Sequence, residues 1–228
     1  MKNKIFSILF YIISIFLIII YFYNNFIIKI HHNPILRVII LLIICVLMHF
    51  GAIFGSKYNK KYKYVLNKIN LIIWFILYLI LILTLTLFDS YFLRSGSIIF
   101  PWNKTLFRDY MNYVINLIPF KIIFQYTIGF INDEVSLKIF LYNILGNFLA
   151  FMPFALFLPR LFEKENNMRV FIFTMIIIVL SIEICQFITL SGTFDIDDLI
   201  LNVGGSFIMY KILKINKVNI FINKLLNN

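Results

Sequence analysis

Acidic residues are scarce in this chain, and where they are missing is informative. Only 10 of 228 residues are Asp or Glu, against 21 Lys or Arg, and charged residues together make up 14%. Soluble domains carry about a quarter charged residues, whereas this chain is 62% hydrophobic with a mean hydropathy of +0.94. Too little polar surface exists to cover such a core, so lipid must cover it. The two cysteines, Cys45 and Cys185, both lie in apolar runs. They exclude a disulfide framework and a CxxC metal pair and are read as small core residues. Histidine is equally sparse. His49 is expected as an interfacial or hydrogen-bonded side chain, and His31 and His32 sit in a short loop beside Asn33-Pro34. No Ser/His/Asp set and no phosphate-binding Gly-rich loop stands out, nor does an internal repeat or a second soluble domain.

What is present is long apolar sequence. Segments near 5–23, 35–55, 69–88, 139–158, 170–190 and 199–213 have roughly the length or apolarity of a membrane span, the last being short for a slab of about 30 Å. Lipid leaves backbone groups no outside partner and no barrel-like alternation occurs, so the expected fold is all-α. It is a polytopic transmembrane helix bundle of about six spans. Lys2 and Lys4 precede the first run as in a signal peptide. That run is too long for a typical apolar signal core, and it ends in Tyr-Phe-Tyr-Asn-Asn rather than a small-residue cleavage site, so it is read as a retained helix. Four regions are expected: a three-helix apolar scaffold over 1–88, an external loop over 89–138, core helices over 139–213 and a basic cytoplasmic tail over 214–228. In the external loop, 105–118 keeps apolar residues at helical spacing, with Trp102, Tyr110 and Tyr113 as interface anchors. An interfacial helix ending at Pro119 is expected there, with Phe120 re-anchoring the chain. The polar residues of the first three helices (Ser14, His49, Thr84, Thr86) look scattered and unpartnered.

The distribution of charge sets an orientation. The amino terminus, the second loop (Lys57, Lys60, Lys61, Lys63, Lys68), the loop with Arg160, Lys164 and Arg169, and the tail (Lys211, Lys214, Lys217, Lys224) hold 14 of the 21 basic residues, opposed only by Glu163 and Glu165. The positive-inside rule then places both termini in the cytoplasm. The basic residues are topology signals at anionic lipid, and no nucleic-acid surface is expected.

Against this background the polar residues of the last three spans stand out. Asn143 and Asn147 lie one turn apart, Glu183 and Gln186 at i and i+3, and Asp198 and Asn202 again one turn apart, each pair on one helix face. Together with Asp195 and Asp197 they are expected at a common depth under the outer surface. Glu183 is the costly member, since a carboxylate in hydrocarbon is kept where it pairs or lines a cavity. Asp195 is also placed to cap the last helix. Gly146, Gly204 and Gly205 suit close helix approach. Pro153 should kink its helix and free a carbonyl near Leu149, and Pro159 should mark the helix's inner end.

The order of these residues resembles the VanZ-like family of bacterial membrane proteins. Asn143-Ile144-Leu145-Gly146-Asn147 with Phe151, Pro153 and Pro159 is similar to the family's N-x-x-G-N-x-x-x-F-x-P stretch. Glu183 and Gln186 match its E-x-x-Q, and Asp195 to Asp198 with Asn202, Gly204 and Gly205 its D-x-x-D-x-x-x-N-x-x-G ending. Asn116-Leu117-Ile118-Pro119-Phe120 is similar to an upstream N-L-I-P-F element. The match covers about 116–210. Two departures are Ala155, where many relatives have Gly, and Ser191-Gly192-Thr193, where many have an Arg before the acidic run. The resemblance implies an envelope protein linked to reduced susceptibility to lipoglycopeptides such as teicoplanin.

Three functions compete. The first is a binding or transport element whose polar pocket holds a lipid head group, a lipid-linked cell-wall precursor or a lipoglycopeptide. The second is a membrane enzyme acting on lipid-linked substrates, with Asp195, Asp197 and Asp198 holding a divalent cation and Glu183 as acid or base. The third is an ion-coupled transporter, disfavoured by a single deep carboxylate and no inverted repeat. Catalysis is expected less than binding, and no cofactor beyond that cation is expected. Interhelical hydrogen bonding alone is the structural alternative, worth roughly 0.6 kcal/mol per bond. The orientation is checked by reporter fusion: a carboxy-terminal reporter should be active only on the cytoplasmic side, and an extracytoplasmic signal would overturn it.

Overall fold

The computed structural model describes residues 1–27, 33–88, 108, 115–189, 192 and 194–227, and they are almost wholly helical. The expected all-α membrane bundle is what forms. Five helical stretches are long and apolar enough to cross a membrane: Lys2–Asn25, Pro34–Tyr58, Lys60–Leu87, Leu137–Leu161 and Met168–Thr189. The remaining expected span, Ile196–Lys214, is 19 residues long, more than the sequence suggested, with acids in its first turn and lysines in its last. At about 1.5 Å per residue that length approaches the slab thickness.

Contacts divide the chain into two compact units, the first built on residues 1–85 and 219–227 and the second on 86–88, 108 and 115–218. In the first, α1 (Lys2–Phe22), α2 (Pro34–Tyr58) and α3 (Lys63–Leu83) pack around Tyr21, Leu41, Ile44, Met48, Leu77 and Leu81. Asn33 starts α2, its side chain accepting from the Ile35 amide at 3.0 Å while Pro34 fills the first helical position. This unit is less plain than its composition implies. Ser7 donates to the Gly51 carbonyl at 2.8 Å, and Tyr11 donates to Asn70 Oδ1 at 3.1 Å. The Asn70 amide donates in turn to the Met48 carbonyl at 2.9 Å. Such bonds tie helices together where hydrophobic association offers nothing. Ser14 and Thr84 bond within their own helices, and His49 lies against Trp74.

The second unit carries the site. It comprises α4 (Lys121–Ile131), α5 (Leu137–Phe140), α6 (Asn147–Ala150), α7 (Phe154–Leu161), α8 (Met168–Thr189) and α9 (Ile196–Lys214). A parallel bridge pairs β1 (Ile115–Asn116) with β2 (Phe194–Asp195). The expected interfacial helix over 105–118 does not extend to its last residues, where the backbone is extended. Arg108 is helical, and the rest of 105–114, with Trp102, Tyr110 and Tyr113, lies outside the described residues. A separate short helix, α4, follows. A further helix, α10 (Asn216–Asn227), occupies the basic tail and belongs mostly to the first unit.

The expected kink at Pro153 is a break. The span passes from α5 through a π-helical stretch, Leu141–Gly146, into α6, then a turn, and restarts as α7 with Pro153 as its N-cap. The Leu149 carbonyl, denied a partner by proline, accepts from the Met152 amide at 3.2 Å. Pro159 lies inside α7 rather than at its end. At the far end of α8, Thr174 donates to Glu165 at 2.9 Å and Tyr210 donates to the Asn166 carbonyl, closing the turn between α7 and α8.

Of the three glycines expected at helix contacts, one is required. A Cβ on Gly205 would lie 1.8 Å from the Phe148 carbonyl oxygen, so α9 and α6 touch backbone to backbone. A Cβ on Gly204 meets nothing within 4 Å, and one on Gly146 meets only the Leu141 carbonyl at 3.9 Å. Gly205→Ala should therefore destabilise by about 1–3 kcal/mol through overpacking. Gly204→Ala should be neutral or gain up to about 1 kcal/mol of helix propensity. Thermal unfolding of the two purified variants checks the contrast.

A polar cluster around the start of the last span

The site is built around the first turn of α9. Asp195 is its N-cap, its Oδ1 accepting from the Asp197 amide at 2.8 Å. The same oxygen accepts from Asn116 Nδ2 at 2.8 Å, so the bridge between β1 and β2 is fastened by side chains as well as backbone. The Asp195 amide donates to Glu183 Oε2 at 3.3 Å, bringing α8 into the cluster. Asp195 is buried, and burial raises its carboxyl above the usual range; the Asp197 amide and Asn116 oppose the rise, Asp197's charge adds to it, and Lys121 opposes it.

Asp197 faces the other way and is 1% exposed. One oxygen accepts from the Phe120 amide, and the other accepts from the Ile122 amide at 2.7 Å and the Ile123 amide at 3.1 Å. These are the unpaired amides that open α4. Phe120 itself has no capping side chain and is held at φ 66°, a left-handed conformation. Such a backbone costs a non-glycine residue about 1–2 kcal/mol. Asp197 thus caps a helix 77 residues away in sequence.

Asp198 takes a third direction, accepting from Asn147 Nδ2 on α6. Tyr126, on α4, is partly buried, and its phenol is raised first by burial and then by the charges of Asp198 and Asp195. The remaining expected residues lie differently. Asn143 donates to the Ile139 carbonyl of its own helix at 2.9 Å. Gln186 donates to the Thr86 carbonyl at 2.8 Å and packs against Gly192, where a Cβ would lie 3.2 Å from its amide carbon. Asn202, 4% exposed, lies one turn beyond Asp198 on the helix face that meets α6. Among the described residues no three His, Cys, Asp or Glu converge on a point that would hold a metal ion. The three acids expected to share a cation each engage a separate partner.

An open apolar groove of about 410 Å³ runs between α8 and α9, lined by Ile172, Ile176, Leu199, Ile200, Val203, Gly204 and Phe207. Gly204 thus opens the groove rather than closing a helix contact.

A family profile described as VanZ/LLP1 matches residues 75–217, well over half of the chain. The chain belongs to the VanZ family. No curated protein and no solved structure matches it. The VanZ match takes in α4 through α9, so the whole polar cluster lies within it. Asn116, Lys121 and Tyr126 were absent from the residues first singled out as the site. The N-L-I-P-F stretch was the signal for Asn116; nothing in the local sequence points to Tyr126, which the cluster acquires through the capping of α4.

Two carboxylates two positions apart should respond oppositely to neutralisation. Asp197→Asn places an amide NH2 against backbone donors and should cost about 2 kcal/mol or more. Asp195→Asn keeps an oxygen for both of its donors. Because the folded state holds the Asp195 proton more tightly than the unfolded chain, stability should fall as pH rises from about 4 through the raised carboxyl value. Asp195→Asn should flatten that slope, as read by thermal unfolding at stepped pH.

Proposed function

We propose that this VanZ-family membrane protein binds a lipid head group, a lipid-linked envelope precursor or a lipoglycopeptide at the polar cluster, in the outer leaflet. In this reading both termini are cytoplasmic, as the basic loops favour. The protein then contributes to envelope homeostasis or to reduced teicoplanin susceptibility, the association that the family carries. One observation carries the reading: carboxamides and carboxylates from α6, α8 and α9 gather at the start of α9, whose opposite face lines the open apolar groove. The polar groups suit a head group, and the groove on the other face of the helix suits an apolar chain. The side chains of the cluster pair largely with one another, which favours binding over catalysis.

Lipids carried through purification provide the test. Wild type should retain a species that Asn147→Ala loses, and Gly204→Leu, which fills the groove without touching the cluster, should lose it too. Identical lipid content in all three proteins would remove the proposal's support.

A further inference from the structure

The helix after the last span, α10, takes no part in the polar cluster. The extended backbone at Ile215 ends α9, so α10 starts afresh rather than prolonging the span. At about 1.5 Å per residue its 12 residues fall well short of a slab of about 30 Å, and Asn216, Asn219 and Asn223 make it too polar to lie in hydrocarbon. Its two faces differ. Val218, Asn219, Ile222 and Leu226 share one side of the helix and are half-buried. Lys217, Ile220, Phe221, Lys224 and Leu225 share the other, at i, i+3, i+4, i+7 and i+8, and all five are exposed. Ile220 and Phe221 stay 68% and 64% exposed beside the two lysines. No Asp or Glu follows Asp198 in the sequence, whereas Lys211, Lys214, Lys217 and Lys224 do, so α10 has no acid of its own to pair with its lysines. A face that interleaves large apolar side chains with lysines fits the boundary between anionic head groups and acyl chains. There the apolar side chains enter the acyl boundary while the lysines extend to the head groups. A second copy of the chain would set lysines against lysines, with no carboxylate on the helix to answer them. A nucleic acid would leave Ile220, Phe221 and Leu225 in water.

We propose that α10 lies along the membrane surface as an amphipathic anchor, with the face of Lys217, Phe221, Lys224 and Leu225 seated on anionic lipid. In the orientation that the basic loops favour, this is the inner leaflet. The contact is separate from the polar cluster, and its test does not depend on what the cluster binds.

The full chain is placed in nanodiscs of phosphatidylcholine alone or of phosphatidylcholine mixed with phosphatidylglycerol, and amide deuterium exchange is read by mass spectrometry, with α8 as internal reference. A 12-residue helix is marginal in water, so slow exchange over 216–227 reports docking. Wild type should exchange there about tenfold or more slowly in the anionic discs, the scale of two lysines at an anionic surface. Added salt should shrink the difference. Lys217→Gln with Lys224→Gln should abolish the response to phosphatidylglycerol, and Ile220→Ser with Phe221→Ser should speed exchange in both discs. Both pairs leave helix propensity nearly unchanged, so neither acts by melting the helix itself. Wild-type exchange that ignores phosphatidylglycerol overturns the proposal. So does a response that survives loss of both lysines, or protection unmoved by the two serines, which makes the helix a fixed part of the protein fold. Repeated in vesicles, protection that follows protein density rather than lipid charge assigns the face to a second copy and overturns it as well.

Discussion

Three backbone amides at the start of α4 have no local acceptor, and the Asp197 carboxylate supplies one. Much of the second unit's polar geometry follows from that constraint. With Asp197 committed to α4, Asp195 before it is left to cap α9 and to meet Asn116, while Asp198 after it turns to Asn147. Consecutive positions at a helix start point in different directions. A short acidic run there can therefore tie together a bridge, a short helix and an interrupted span at once.

This accounts for what could be read from the sequence. Membrane class, helical fold and the span positions are set by apolar run length, which is a local property. Asp195 as a cap and Asn147 near Asp198 follow from helical spacing plus the order of the spans. The break at Pro153 was visible as a disturbance, but its form depended on the π-helical stretch before it. The helix α4 was missed because its capping residue lies far away in sequence, so the usual Ser, Thr, Asp or Asn signal is missing at Phe120. Tyr126 was missed for the same reason. In the first unit, Asn70 gave no hint of Tyr11 or Met48 as partners, since such pairing depends on the packing of three separate helices. The glycines divided on geometry alone: Gly205 meets a backbone carbonyl, whereas its neighbour Gly204 faces a groove.

The two sides of α9 thus do different things. One side meets α6 so closely that no side chain fits at Gly205, which fixes the depth of Asn147 relative to Asp198. The other side leaves an apolar channel against α8. The seam holds the polar groups in register on one face of the helix, while the opposite face keeps the apolar groove open.

The remote cap also bears on how the protein is made. While the ribosome is still synthesising the residues before Asp197, the segment that becomes α4 has been made but its leading amides have no carboxylate to accept them. Synthesis is vectorial, and so α4 waits for four more helices, α5 to α8, before Asp197 can cap it. The start of α9 then caps the earlier helix, and a chain truncated before residue 197 would leave α4 without that cap.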